Sequence, residues 1–395
     1  MDTRRSPSVP AGIWILGLVS MFMDISSELV HSLLPIWMTS VLGASVMTVG
    51  ILEGVAEAAA AITKVLSGSI SDYAGKRKPL AMIGYGLSAL TKPFFPLATT
   101  IGWVFAARFT DRIGKGIRGA PRDALVAELV SEETRGAAYG LRQALDSAGA
   151  LLGPLLALAL MLLFANDIRA VLWIAVVPAA VSVILLATGV REPGSERKTV
   201  GPKNRLLLAG AGRLPASYWL VAGFGFILTL ARFSEAFLIL RAEDAGLSPG
   251  NIPLIMIVMN VTYTLFAYPA GRAADLFPPR VLLVSGTLVL VLSDAVLAAA
   301  VTPATVLAGA GLLGVHMAMT QGLLSKLVAD NAPDDLRGTA FGIFNLTSGV
   351  ALLLSSTIAG ALWSSAGASA TFIAGAVFAA VAAAGLFCCR KKSIH

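Results

Sequence analysis

Residues 108–122 read Arg108-Phe-Thr-Asp111-Arg112-Ile-Gly-Lys115-Gly-Ile-Arg118-Gly-Ala-Pro-Arg122. The five basic residues fall at steps of four, three, three and four, which sets them along one helical face with Asp111 beside them. This stripe lies in a chain of 395 residues that is 56% hydrophobic and only 13% charged. A charge near a bilayer centre costs at least ~2.5 kcal/mol on the mildest scale, so such residues usually face a bundle interior or a wet cavity. The stripe predicts a polytopic membrane protein with a polar path through it, and a polar path points to transport.

Composition narrows the alternatives. A soluble chain carries nearly twice this charged fraction. The net charge is +7, yet the basic residues gather at predicted membrane–water boundaries, so no nucleic-acid partner is expected. The two cysteines, Cys388 and Cys389, adjoin each other. They offer neither a disulfide framework nor metal-ligand spacing. They read as small apolar packing residues, with lipidation as the alternative. Arg4 and Arg5 precede a long apolar stretch that has no convincing small-residue cleavage site. Asp24 and Glu28 interrupt that stretch, which favours a retained first helix over a signal peptide.

A spanning helix needs about 20 mostly apolar residues. Twelve segments qualify: 13–39, 46–70, 80–99, 101–127, 136–164, 170–190, 217–240, 252–272, 281–301, 304–329, 338–365 and 368–389. The fold class expected is an all-α membrane protein. It has an N-terminal six-helix bundle over 1–190, a linker over 191–216 rich in Lys, Arg and Pro, and a C-terminal six-helix bundle over 217–395. Lys and Arg collect in alternate loops, which predicts that both termini are cytoplasmic. The halves also repeat. Leu125-Val-Ala-Glu128 followed by Arg135-Gly-Ala-Ala-Tyr-Gly140 echoes Leu327-Val-Ala-Asp330 followed by Arg337-Gly-Thr-Ala-Phe-Gly342. Parallel six-helix repeats with a site at their interface are a transporter architecture.

These residues resemble the major facilitator superfamily. Gly68-Ser-Ile-Ser-Asp72-Tyr-Ala-Gly75-Lys76-Arg77-Lys78 is similar to that superfamily's loop between its second and third helices. Gly271 to Arg280, with Asp275, is a degenerate second copy. Arg112-Ile-Gly-Lys115-Gly-Ile-Arg118-Gly-Ala resembles the fourth-helix motif, with Lys115 and Arg118 where glutamine and a small residue are usual. Gly149-Ala-Leu-Leu-Gly153-Pro154-Leu-Leu-Ala157 resembles the fifth-helix antiporter motif, with Ala157 in place of a glycine. The resemblance implies two six-helix halves rocking about a central site, with the first and fourth helices lining the cavity. Gly68, Asp72, Gly75, Lys76, Arg77 and Asp275, with Gly149, Gly153 and Pro154, are then the expected gating residues, plain helix packing being the alternative for the last three. For the basic loop residues, simple membrane anchoring is the alternative.

Asp24, Glu28, His31 and Pro35 share one face of the first helix. At 1.5 Å per residue, Asp24 and Arg112 each lie roughly 16 Å from a helix end, and Glu28 matches Arg108. The expected neighbours are therefore Asp24 with Arg112 and Glu28 with Arg108, looking onto water. Asp24, Glu28 and Asp146 are the candidate proton-coupling acids; the alternative is permanently ionised pairs that fix packing. Candidate substrate contacts are Arg108, Arg112, Lys115 and Arg118, with Glu57, Arg142, Arg232, Glu235, Tyr263 and Asn345. Arg142 and Asp146 are an i, i+4 pair, and Arg232 and Glu235 stand one turn apart. Lys92 has no partner that the sequence names.

No Walker-type glycine loop, nucleophile elbow or zinc-protease motif occurs. No catalytic residue, cofactor or metal site is expected, and the chain reads as a non-enzyme. The leading expectation is a proton-coupled exporter in a bacterial inner or plasma membrane, monomeric, with a small-molecule substrate, protons and membrane lipid as its partners. A carrier or importer of an organic anion, such as a siderophore or metabolite held by the arginine stripe, is the runner-up. A non-transporting sensor or lipid-handling protein is the minor alternative.

Overall fold

A computed structural model describes residues 10–74, 76–131, 134–190, 211–333 and 336–388. The linker segment 191–210, Gly75 and Cys389 lie outside the described residues, as do the side chains of Asp72, Asp275 and Cys388. Every regular element among the described residues is helical. In chain order the α-helices are α1 (Ala11–Ile36), α2 (Val46–Ala74), α3 (Lys78–Thr91), α4 (Phe94–Leu97), α5 (Ile101–Glu128), α6 (Arg135–Leu163), α7 (Ile168–Ile174) and α8 (Val176–Gly189). They continue as α9 (Ala216–Ala231), α10 (Ala236–Asp244), α11 (Leu254–Leu276), α12 (Pro279–Ala298), α13 (Pro303–Asp330), α14 (Arg337–Ala366) and α15 (Ala368–Cys388).

The expected segments recur with ends shifted by a few residues, and three of them are interrupted. The third breaks at Lys92–Pro93, because proline supplies no N–H to continue the ladder. The sixth breaks at Ala175. The seventh unwinds over residues 232–235, between α9 and α10, with no proline or glycine in the turn. The first helix loosens into a π turn, Trp37–Val41, just after Pro35. Among the described residues ten stretches are long and apolar enough to cross a membrane. The charge-striped α5 is not among them, nor is the pair α3 and α4.

Residue contacts divide the chain into two compact units, 1–30 with 62–203 and 31–61 with 204–395. In the first unit, Ile13, Leu16, Val19, Met23, Tyr85, Leu125, Ala179 and Leu186 pack as one apolar cluster. Without an apolar driving force between helices in lipid, close backbone approach and hydrogen bonds must hold them together. Helices α3 and α5 cross at Gly84 and Gly114, where a Cβ on either would lie 2.8 Å from the other's carbonyl oxygen. Serine hydroxyls then donate across helices to backbone carbonyls: Ser26 to Ala175 at 2.7 Å, and Ser182 to Val19 at 2.7 Å.

In the second unit, Tyr218, Val221, Leu283, Leu323, Leu327 and Ala340 form the core. The first half of α2 packs there on α14 through small residues. A Cβ on Gly54 would stand 3.0 Å from Leu353 Cα, and one on Gly360 would stand 2.9 Å from Met47 Cα.

Candidate functional site

The α5 stripe decides the site. Arg108, Arg112 and Arg118 are 1%, 2% and 4% exposed, and Asp111 is 2% exposed. Lys115 is the exposed member and Arg122 is half-buried. The expectation that the stripe looks onto water therefore needs correcting: three of its arginines are buried in this structure. For Arg118 the reason is the glycine crossing of α3 and α5, where a Cβ on Gly84 would stand 2.6 Å from the Arg118 backbone nitrogen. Its guanidinium lies 5.0 Å from the Tyr85 ring centre and donates to Ser88 Oγ at 2.6 Å, while Ser88 Oγ donates to the Asp111 carbonyl oxygen at 3.1 Å.

Lys92 acquires a partner. It is 0% exposed, and its Nζ donates to Asp111 Oδ1 at 3.0 Å and to Ser27 Oγ at 3.1 Å. A buried ammonium requires such pairing. The break after α3 places it, since Lys92 stands where the helix turns into Pro93. Asp111 also feels Arg112, Arg118 and Arg108, so four cations act on this one acid.

Asp24 is half-buried on α1, and the charges that act on it belong to Asp146, Arg118, Lys115 and Arg122. The depth match with Arg112 is thus corrected: the cations acting most on Asp24 lie about one to three turns further along α5. Counting rise per residue assumes untilted helices with ends at equal depth, and spans commonly tilt by about 20°. Glu28, also half-buried, meets Gly153, where a Cβ would stand 2.7 Å from Glu28 Cβ. Gly149 receives Asp24 in the same way, at 3.0 Å from its Cβ. Pro154 is buried beside Gly153 within α6.

Below Asp24 a ring of charges joins α5 to α6. Arg142 Nη1 lies 2.7 Å from Asp146 Oδ2, and Arg122 Nη1 lies 3.8 Å from the same oxygen. Arg122 and Arg142 also reach Asp123, at 3.1 Å and 3.6 Å. Arg122 donates to Ser20 Oγ at 2.7 Å, and Ser20 shares a 3.0 Å hydrogen bond with the Tyr85 hydroxyl. Ser20 and Tyr85 were not singled out in the sequence. Asp123, next to Arg122 in the chain, carried a signal.

The loop motif is tied to its surroundings. Arg77 Nη1 donates to Ser71 Oγ at 2.6 Å and its Nε lies 3.5 Å from Glu128. Lys78 donates to the carbonyls of Ala187 and Val190 at the end of α8, at 2.8 Å and 2.7 Å. A Cβ on Gly68 would stand 3.5 Å from Ala120 Cβ, and Lys76 is exposed.

In the second unit Arg232 and Glu235 bracket the unwound turn. The cation sits at the C-terminal end of α9 and the acid at the N-terminal end of α10, each complementing its helix dipole. Arg232 feels Glu235 and Tyr263. His31 lies 4.0 Å from Glu235. Ser356 Oγ accepts from the Ser234 N–H at 3.2 Å, and Ser355 Oγ reaches the Arg232 carbonyl at 3.4 Å, so α14 satisfies the turn's backbone. Neither serine was legible as a site residue. Glu57 and Asn345 are half-buried. Among the described residues no group of three or more His, Cys, Asp or Glu side chains is placed to hold a metal ion.

The family model described as Major Facilitator Superfamily matches residues 16–240 and 221–393. An uncharacterized MFS-type transporter of Methanocaldococcus jannaschii is 31% identical over 388 residues, covering 96% of this chain and 95% of the relative. Among solved structures, the D-xylose-proton symporter aligns with a TM-score of 0.75 at 17% identity, over 96% of this chain and 98% of its own. The human organic anion transporter MFSD10 aligns at 0.70 and 17%, over 96% and 100%. At such identities these two structures speak for the fold alone.

Proposed function

The chain belongs to the major facilitator superfamily, and we propose on that premise that it is a proton-coupled exporter moving a small molecule by alternating access. One observation carries the reading: Arg122 acts on both Asp24 and Asp146. Protonating Asp24 removes one negative charge from this set and leaves its cations free to hold Asp146 or a substrate. A proton and a substrate thereby compete for the same electrostatic support, which is what antiport requires. Glu28 and Asp146 take part as further acids. The exposed Lys115 makes the first substrate contact, with Arg142 nearby on α6, and the buried arginines contribute once uncovered. Glu57, Arg232, Glu235, Tyr263 and Asn345 are further substrate contacts in this reading. The loop residues from Gly68 to Arg77, with Asp275, act as the gate. The protein works as a monomer in a bacterial inner or plasma membrane, with both termini cytoplasmic, without a cofactor and without catalysing a reaction.

The test is proton flux in proteoliposomes. The wild type should acidify or alkalinise the lumen when a transported compound is added. The Asp24→Asn, Glu28→Gln double variant should lose that response while folding normally. A double variant that still accumulates compound against its gradient in response to ΔpH overturns the reading.

A second reading is favoured by the four cations acting on Asp111. Such an excess of positive charge suits a carrier of an organic anion. Thermal stabilisation of the purified protein by anionic compounds alone supports it; stabilisation by neutral or cationic compounds alone opposes it.

A further inference from the structure

One buried acid has no place in the site above. Asp294 lies on α12, four residues before that helix ends at Ala298 and so about 6 Å from its end. It is 4% exposed, and its Oδ2 has no hydrogen-bond partner. A buried polar group without a partner costs free energy and calls for an explanation. The cation at this end of α12 is Arg241 of α10, which is taken up by the carbonyls of Leu297, Ala298 and Ala300 and by Asp244. Helix α15 carries no ionisable Asp, Glu, Lys, Arg or His within Ala368–Cys388. His316 of α13 is turned two helical turns away, with its Nδ1 2.7 Å from the Gly286 carbonyl oxygen. Arg232 and Glu235 lie at the ends of the α9–α10 break, where Arg232 feels Glu235 and Tyr263.

The carboxyl and the unwound turn both reach Gly375. A Cβ on Gly375 of α15 would stand 2.7 Å from Asp294 Oδ2 and 3.0 Å from Phe233 Cε1. Phe233 belongs to the unwound turn between α9 and α10. Its ring packs edge-on against Phe237 at 5.5 Å and Phe372 at 5.3 Å, and Trp363 closes this aromatic group at 6.3 Å from Phe372. Gly375 and Phe233 line a small cavity together with Ser355 and Thr371. The acid and the Phe233 ring of the unwound turn therefore converge on the Gly375 backbone.

We propose that Asp294 is a proton-carrying carboxyl of the C-terminal half, and that its protonation sets the position of the α9–α10 break through Phe233. The neutral acid fits the dry contact against Gly375. The carboxylate needs water, which reaches it only when the Phe233 ring moves off. The proton comes from water at the nearby end of α12, forms an O–H bond on Asp294, and returns to water when the turn opens. Coupling this to transport rests on the proton-coupled reading above; the titration of Asp294 itself does not.

The experiment is infrared difference spectroscopy of the purified full-length protein in detergent through a pH titration, with Trp363 fluorescence followed in parallel. The expected result is a carboxylic-acid C=O band that changes with pH in the wild type, is lost in Asp294→Asn, and changes together with the Trp363 emission. Gly375→Ala, whose Cβ meets both groups, should shift the band. Should Asp294→Asn fail to fold, Asp294→Glu supplies the readout by moving the band. A spectrum identical in wild type, Asp294→Glu and Gly375→Ala overturns the proposal. The same titration in Asp24→Asn, Glu28→Gln separates the two ideas: the Asp294 band should persist there, even if vesicle assays show no proton coupling.

Discussion

Gly153 of α6 lies directly against Glu28 of α1: a Cβ on the glycine would stand 2.7 Å from Glu28 Cβ and 2.9 Å from the Ile25 carbonyl oxygen. One turn along, Gly149 meets Met21 and Asp24 in the same manner. The antiporter-like motif and the intramembrane acids are therefore two sides of one seam. Small residues let the helix backbones touch, and the acids sit at the contact.

Filling that seam should weaken fold and function together. Gly149→Val and Gly153→Val force side chains into backbone, at a cost of about 1–3 kcal/mol for overpacking. Each variant should lower the melting temperature of the purified protein and reduce vesicle transport at least tenfold. Gly140→Val, at a position with no heavy atom within 4 Å of an added Cβ, serves as the control and should leave both unchanged.

The Lys92–Asp111 pair offers a sharper test. Removing one partner of a buried pair strands the other charge and costs about 3–5 kcal/mol. Lys92→Met alone should therefore destabilise strongly, and Lys92→Met with Asp111→Leu should cost less than the two single losses added, while still leaving Arg108, Arg112 and Arg118 without that acid. Chemical denaturation in detergent, read as a double-mutant cycle, checks it. Additive losses would mean that the two residues do not depend on each other.

Asp24 and Asp146 should behave as a coupled set. If they share Arg122, Asp24→Asn and Asp146→Asn will have non-additive effects on the pH dependence of transport. The coupling should amount to about 0.5–3 kcal/mol, the range for residues in one network. Initial rates across a pH series in the two single variants and the double variant give the value. Strict additivity argues against a shared network.

Arg241 should affect stability without touching coupling. It donates to the carbonyls of Leu297 and Ala300 at 3.0 Å and 2.7 Å, closing the end of α12, and pairs with Asp244. Hydrogen bonds from charged groups are worth about 1.5–3 kcal/mol. Arg241→Ala should lower the melting temperature yet keep the wild-type pH profile of transport. A changed profile would place Arg241 in the mechanism.

Several features were open to reading along the chain because they depend on local pattern. Apolar runs marked the spans, and Pro93 stood where the third span breaks. The Arg142–Asp146 pair followed from i, i+4 spacing on a single helix, and the structure shows it at 2.7 Å. The seventh span's break was invisible, because residues 232–235 contain no breaker. Their backbone is satisfied by Ser355 and Ser356, more than a hundred positions away.

By itself, then, the amino-acid order determined that this is a helical membrane protein with a charge-striped fourth span, since a hydrocarbon solvent leaves backbone polar groups little choice but helices. It also determined the repeat and the motifs. Tertiary structure alone decided which charge meets which. Lys92 found Asp111, and Asp24 came under Lys115, Arg118 and Arg122 more than Arg112. Helix tilt and the close crossing at Gly84 and Gly114 set those meetings, and neither is written in the rise per residue of a single helix.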